Sequence, residues 1–240
     1  DRVVVRPAQR VGVVDVGDAK VSPGDLEASY VAIEAAVGAI AETRAVAVTL
    51  GGDGAIALPE MRALHRVYPD LVTIHIDAHT DAYPIEGYNT ATAFGRAAEE
   101  GLVDATRSYQ IGMRGTTMLP GVGEYGRSLG YNVIPLAELL ERGIAKVFAE
   151  VRAHIGDRPV YLSYDMDFFD PSVAPGVCTP TWGGATSREG LAVLEACAGL
   201  NLVGPPHDVG GMSALLAAQV TLNALNLIAR QHQSKAAERG

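Results

Sequence analysis

Two short stretches of this chain carry side chains whose types and spacing suit metal-ion chemistry. In Ile74-His75-Ile76-Asp77-Ala78-His79-Thr80-Asp81, residues Asp77, His79 and Asp81 stand at i, i+2 and i+4. On extended backbone alternate side chains point to one side, so this spacing gathers two carboxylates and an imidazole. Ser163-Tyr164-Asp165-Met166-Asp167 repeats the device with Asp165 and Asp167. Either stretch alone reads equally well as caps and turns, because Asp is common after strands. Together they bring four carboxylates and one imidazole to one place, with a charge of about −4 that protons or cations must offset. Two divalent ions offset all of it and one offsets half. Carboxylates with a single imidazole are hard-to-borderline ligands, which favours Mn²⁺ over metals that prefer thiolates.

Such residues need a scaffold that brings separate strand ends together. Near-continuous apolar runs at 10–15, 45–50, 71–76, 107–112, 131–134, 159–164 and 201–203 read as strands covered on both faces. Helical stretches alternate with them. The clearest spans 23–42, with Ser22 as its cap and Pro23 in its first turn, and a second long one spans 213–233. Strand–helix alternation predicts an α/β fold with a mostly parallel sheet of at least seven strands and right-handed crossovers. Residues 51–54, 80–90, 113–123 and 170–184 read as loops after strands. Open α/β sheets bind their ligands at those carboxyl ends.

The 240 residues suit one domain over 1–240, with enough core to fold without staples. Nineteen Lys+Arg against 28 Asp+Glu leave a net charge of −9, so there is no basic footprint for nucleic acid. No apolar run reaches the ~18 residues of a membrane span, and no secretory signal opens the chain. Two cysteines, Cys178 and Cys197, fit a reducing cytoplasm better than a disulfide framework. Cys178 has no evident base partner, and Gly51-Gly52-Asp53-Gly54 lacks both the GxGxxG spacing and the lysine of a phosphate loop. His75, alternating with Asp77, reads as a core or backbone-paired imidazole rather than one that supports the metal ligands, His65 and His154 as helix-face residues, and Trp182 as loop packing or the wall of a substrate pocket.

At this level of detail the sequence resembles the ureohydrolases, the arginase and agmatinase family. Asp77-Ala78-His79-Thr80-Asp81 and Ser163-Tyr164-Asp165-Met166-Asp167-Phe168-Phe169-Asp170-Pro171 look like that family's two metal motifs. Supporting stretches are Val14-Asp15-Val16-Gly17-Asp18, Gly51-Gly52-Asp53, Gln110-Ile111-Gly112-Met113-Arg114-Gly115, Ala174-Pro175-Gly176 with Gly183-Gly184, and Ala214-Leu215-Leu216-Ala217-Ala218. The resemblance is closer to agmatinases than to arginase proper. It implies a three-layer α/β/α fold, a binuclear manganese site and hydrolysis of a guanidino group to urea and an amine. It also implies a cytoplasmic homo-oligomer, trimer or hexamer. Asp77 and Asp165 would bridge the metals, Asp81 would serve one ion, and His79 with Asp167 the other. Asn89 and Thr92 would lie on the substrate side.

Departures from the family pattern fall on that site. Gly54 stands where the family carries a metal-binding His, and Thr90 where it carries a second His for substrate and proton traffic. Leu202-Val203-Gly204 runs straight into Pro205-Pro206-His207-Asp208 where the family has a strand ending in an acidic residue, and the family's first strand has no counterpart before Asp1. His207 is the nearest substitute imidazole by segment, though a surface loop is its plainer reading. Three functional readings stay open: a manganese-dependent amidinohydrolase of the agmatinase type whose activity these departures could impair, a non-catalytic member of the same fold acting as a subunit or binding module, and a metal-dependent hydrolase acting on a different amide or amidine.

Overall fold

In the computed structural model, residues 12–204 and 211–237 are described. Five parallel strands form their sheet, β1 (Val72–Ile76), β2 (Tyr109–Met113), β3 (Asn132–Pro135), β4 (Pro159–Tyr164) and β5 (Asn201–Gly204), in the order β3-β2-β1-β4-β5. The central strand β1 sets Ile74 opposite Tyr109 of β2 and Val72 opposite Val160 of β4.

Two expected strands do not form. Residues 12–15 and 45–50 are irregular, and residues 10–11 lie outside the described residues, so the expected seven strands become five among the described residues. A strand exists only through a partner that takes its backbone hydrogen bonds, and apolar composition cannot supply one. Val13 and Val14 are also 50% and 79% exposed, unlike residues covered on both faces.

Helices cover both faces. Val72, Ile74 and Ile76 point into a core closed by α5 (Leu136–Arg142), α6 (Ile144–Ile155), α7 (Ser187–Ala196) and α8 (Gly211–Ala237). The opposite face meets α1 (Leu26–Glu42), α2 (Ala57–Val67), α3 (Ala93–Glu99) and α4 (Val122–Ser128), whose core includes Ile33, Leu58, Met61, Phe94 and Tyr161. Since strand side chains alternate, His75 and then Asp77 fall on the α1–α4 side of β1. The first helix starts later than expected. Asp25 is its N-cap and accepts a hydrogen bond from the Ala28 amide at 2.9 Å. Ser22 instead accepts one from Ser29 through its carbonyl, so Ser22 is not the cap and Pro23 precedes the helix.

Candidate metal centre

The ends of β1 and β4 meet at the carboxyl edge of the sheet. The Asp77 amide donates to the Ile111 carbonyl at 3.1 Å and the Asp165 amide to the Ile76 carbonyl at 2.7 Å, which extends the ladder one residue beyond each strand. Gly112 makes this approach possible: a Cβ there would lie 2.4 Å from Phe168 and 2.6 Å from the Asp77 carbonyl, and its φ is +112°. Past the strands the chain turns sharply. The Asp77 carboxylate accepts from the His79 amide at 2.6 Å, and the Asp165 carboxylate accepts from the Asp167 amide at 2.7 Å.

These turns bring side chains 88 residues apart in sequence into contact. His79 Nδ1 lies 2.9 Å from Asp167 Oδ2 and 3.3 Å from Asp77 Oδ1. One donor atom each of Asp77, His79 and Asp167 lies within 4.8 Å of the others, the spacing of ligands around one ion. His75, Asp77 and Asp81 form a second such group, so Asp77 is shared. Asp81 has a left-handed φ of 46°, tolerated by Asp and held by its carbonyl accepting from the Phe94 amide at 2.9 Å. Its side chain is buried. Asp165 is near enough for its charge to act on both Asp77 and Asp167.

The electrostatics leave clustered negative charge that protons or a cation must offset. Burial and then the charge of Asp77 push the carboxyls of Asp81, Asp165 and Asp167 up from the ordinary range. Burial opposes ionisation of Asp77 too, but His75 and His79 outweigh it and hold its carboxyl below the usual values. Burial works against protonation of His79, yet its contacts with Asp167 and Asp77 push its pKa up to about 11. An imidazole beside carboxylates at one edge fits a hard-to-borderline divalent ion at the His79 position. The Asp81 position fits less well, because its imidazole is His75, already 2.8 Å from Asp77 Oδ2 and stacked on Phe94 with ring centroids 3.9 Å apart.

The loop from Asp170 to Gly184 supports the centre in a way that motif reading misses. Thr179 donates to Asp167 Oδ2 at 3.0 Å, and Thr181 Oγ1 lies 3.3 Å from His79 Nε2, so the ring is contacted on both nitrogens. Arg114, at the end of β2, donates through one nitrogen to the carbonyls of Asp167, Thr181 and Phe169 at 2.6, 2.8 and 3.1 Å. Its Nε and Nη1 are buried without hydrogen-bond partners among the described residues. Asp170 closes the loop by accepting from the Gly183 and Gly184 amides at 3.0 and 3.1 Å.

The remaining expectations distribute differently. Thr92 is buried, and its hydroxyl accepts from the Asn89 amide at 3.0 Å within the turn that carries the half-buried Asn89. His65 Nδ1 meets the Leu102 carbonyl and His154 Nδ1 meets the Tyr109 hydroxyl, both as parts of helix packing. Cys178 is exposed and Cys197 buried, each a free thiol. Trp182, expected to pack the loop, is 76% exposed. His207 lies outside the described residues.

Similarities to known proteins cover most of the chain. Residues 2–226 match the arginase family. A guanidinopropionase of Pseudomonas aeruginosa is 39% identical over 236 residues, covering 94% of this chain and 74% of that protein. A mitochondrial agmatinase of Gallus gallus is 36% identical, covering 91% and 67%. The solved structure of proclavaminate amidinohydrolase from Streptomyces clavuligerus superposes with a TM-score of 0.86 at 31% identity, covering 93% of this chain and 78% of that one.

Proposed function

Since the chain belongs to the arginase family, we propose that it is an amidinohydrolase that uses a divalent cation, Mn²⁺ by its donor set, to convert a small guanidino compound slowly to urea and an amine. The observation that carries this reading is the convergence of His79, Asp77 and Asp167 at the carboxyl edge. His79, Asp77, Asp165 and Asp167 would hold one ion, with Asp81 beside it. A bound divalent ion there supplies Lewis acidity, making water a usable nucleophile near neutral pH.

The chain's own residues set the rest. Thr179 and Thr181 hold Asp167 and His79 in orientation, and Arg114 fixes the loop that carries both threonines. Thr92 shapes the turn that presents Asn89 to the substrate. Bond cleavage requires a proton on the leaving amine. Thr90 offers no group that titrates near neutrality, so water must deliver that proton, and general acid help is worth ~10²–10⁴-fold. The absence of an imidazole at Gly54 and Thr90 is what favours the second reading, a non-catalytic binding module of the same fold.

The proposal further takes residues 1–240 as one domain in a cytoplasmic homo-oligomer. Among the described residues no helix is long and apolar enough to cross a membrane. The test is urea release from agmatine, arginine, 4-guanidinobutyrate and 3-guanidinopropionate, with Mn²⁺ and with chelator. Slow, Mn²⁺-dependent urea from at least one compound is expected. No urea above background from any of them would leave the binding-module reading.

A further inference from the structure

Gly54 and Thr90 are 36 residues apart, yet they touch. A Cβ built on Gly54 would lie 2.8 Å from Thr90 Cγ2 and 3.2 Å from Asp81 Oδ2. The first distance is closer than carbon atoms pack, so Thr90 already fills the space into which a side chain at 54 would grow. Thr90 is also held there. Its hydroxyl donates to Asp53 Oδ1 at 2.5 Å, and the same oxygen accepts from the Ala55 amide at 2.9 Å as cap of the 3₁₀ turn Gly54–Ile56. One carboxylate thereby fixes both the turn that carries Gly54 and the rotamer that points the Thr90 methyl at it.

We propose that Asp53, Gly54 and Thr90 form an interlock that closes the cation position beside Asp81, so that this chain holds a single divalent ion, at His79, Asp77 and Asp167. The two departures are then one structural change. Removing the side chain at 54 opens a gap against Asp81 Oδ2, and the Thr90 methyl fills it. An ion beside Asp81 loses an imidazole donor on one side and meets a methyl group in place of a ligand. His75 does not replace that donor. Ligation through Nε2 would put the ring proton on Nδ1, which is buried and has no partner among the described residues, whereas a proton on Nε2 keeps the hydrogen bond to Asp77.

The inference rests on the proposed cation-dependent reading, and ion counting separates the two. Mn²⁺ is titrated into the parent chain, Gly54→His, Thr90→Gly and the double variant. Calorimetry gives stoichiometry, and electron paramagnetic resonance distinguishes an isolated ion from a pair ~4 Å apart. The parent and Thr90→Gly should bind one ion with the spectrum of an isolated centre. Gly54→His alone should still bind one, because its ring competes with the latched Thr90. The double variant should bind a second ion at least about tenfold more tightly than Gly54→His does, in line with the 10–100-fold effects of residues around metal sites. Thermal melting of each variant confirms that it is folded.

Two ions of similar affinity in the parent would overturn the inference, and their loss in His75→Gln would assign the missing donor to His75. A second ion in Gly54→His as tight as in the double variant would show that Thr90 is no latch. One ion with no urea from any guanidino compound would keep this inference and remove the catalytic reading. Two ions with urea release would do the reverse, and no ion at all would remove both.

Discussion

Glu60 is a buried carboxyl that the cation site does not use. It is 2% exposed on α2, its Oε2 accepts from the Tyr161 hydroxyl at 2.7 Å, and its Oε1 has no partner. Burial pushes its pKa up to about 7 from 4.5, and the hydroxyls of Tyr161 and Thr49 offset this only in part. The folded state therefore prefers the neutral form. Its contribution to stability is complete below about 4.5, falls as pH rises through about 7, and is gone above that, a change on the order of 3 kcal/mol. Glu60→Gln should remove this fall, so the variant should gain stability relative to the parent at pH 8 compared with pH 5. Urea unfolding at the two pH values measures it, and an equal difference at both would refute the assignment. No sequence pattern marks Glu60, because its partner lies 101 residues away. The same holds for Thr181, which meets His79 across 102 residues, and for Thr90 against Asp53 across 37. Asp77, His79 and Asp81 are legible because their relation is local: it follows from the pleat of one strand and the turn after it.

Among the elements, the segment most exposed to a single change is the loop from Asp170 to Gly184, because Arg114, next to β2, donates to the carbonyls of Asp167, Phe169 and Thr181 through one nitrogen. Gly184 is part of that fit: a Cβ there would come within 2.5 Å of Arg114 Nη2. Arg114→Met should leave three carbonyls without their donor and weaken Mn²⁺ binding by about 10–100-fold. Arg114→Lys should recover little, since an ammonium on a flexible stem does not reproduce the planar donor geometry. Hydrogen exchange of 170–184 and an Mn²⁺ titration check both statements; unchanged exchange with unchanged affinity would assign the clamp no role. The core strands β1, β2 and β4 are legible because they are buried on both faces and read as near-continuous apolar runs. The run at 45–50 has the same composition without becoming a strand, since pairing is a property of two segments and the sequence shows only one. The start of α1 is misplaced for a smaller reason. Ser22 and Asp25 are both good caps, and only the chain path selects Asp25.

For the whole molecule, two consequences follow. The first concerns assembly. As a homo-oligomer the chain should sediment at three or six times its 25.1 kDa, and a species of that single mass at micromolar concentration would exclude the assembly. The second concerns stability. Without a cation, burial and mutual repulsion raise the carboxyls of Asp81, Asp165 and Asp167, so ionising them works against the fold. An ion held by His79, Asp77 and Asp167 would join the end of β1 to the end of β4, two neighbouring strands of the sheet. In the unfolded chain Asp167 is 88 residues from His79, so an ion would bind the native state preferentially. Mass action then sets the gain: with free Mn²⁺ at 100 times its dissociation constant, stability rises by about 2.7 kcal/mol. For a chain of this length that corresponds to an increase in melting temperature of roughly 5–11 °C. Calorimetry of the chelated and Mn²⁺-loaded protein should show this increase, and His79→Ala should abolish most of it. A melting temperature that ignores Mn²⁺ in the parent would mean that the carboxylates settle their charge with protons, and that no cation ties the two strands.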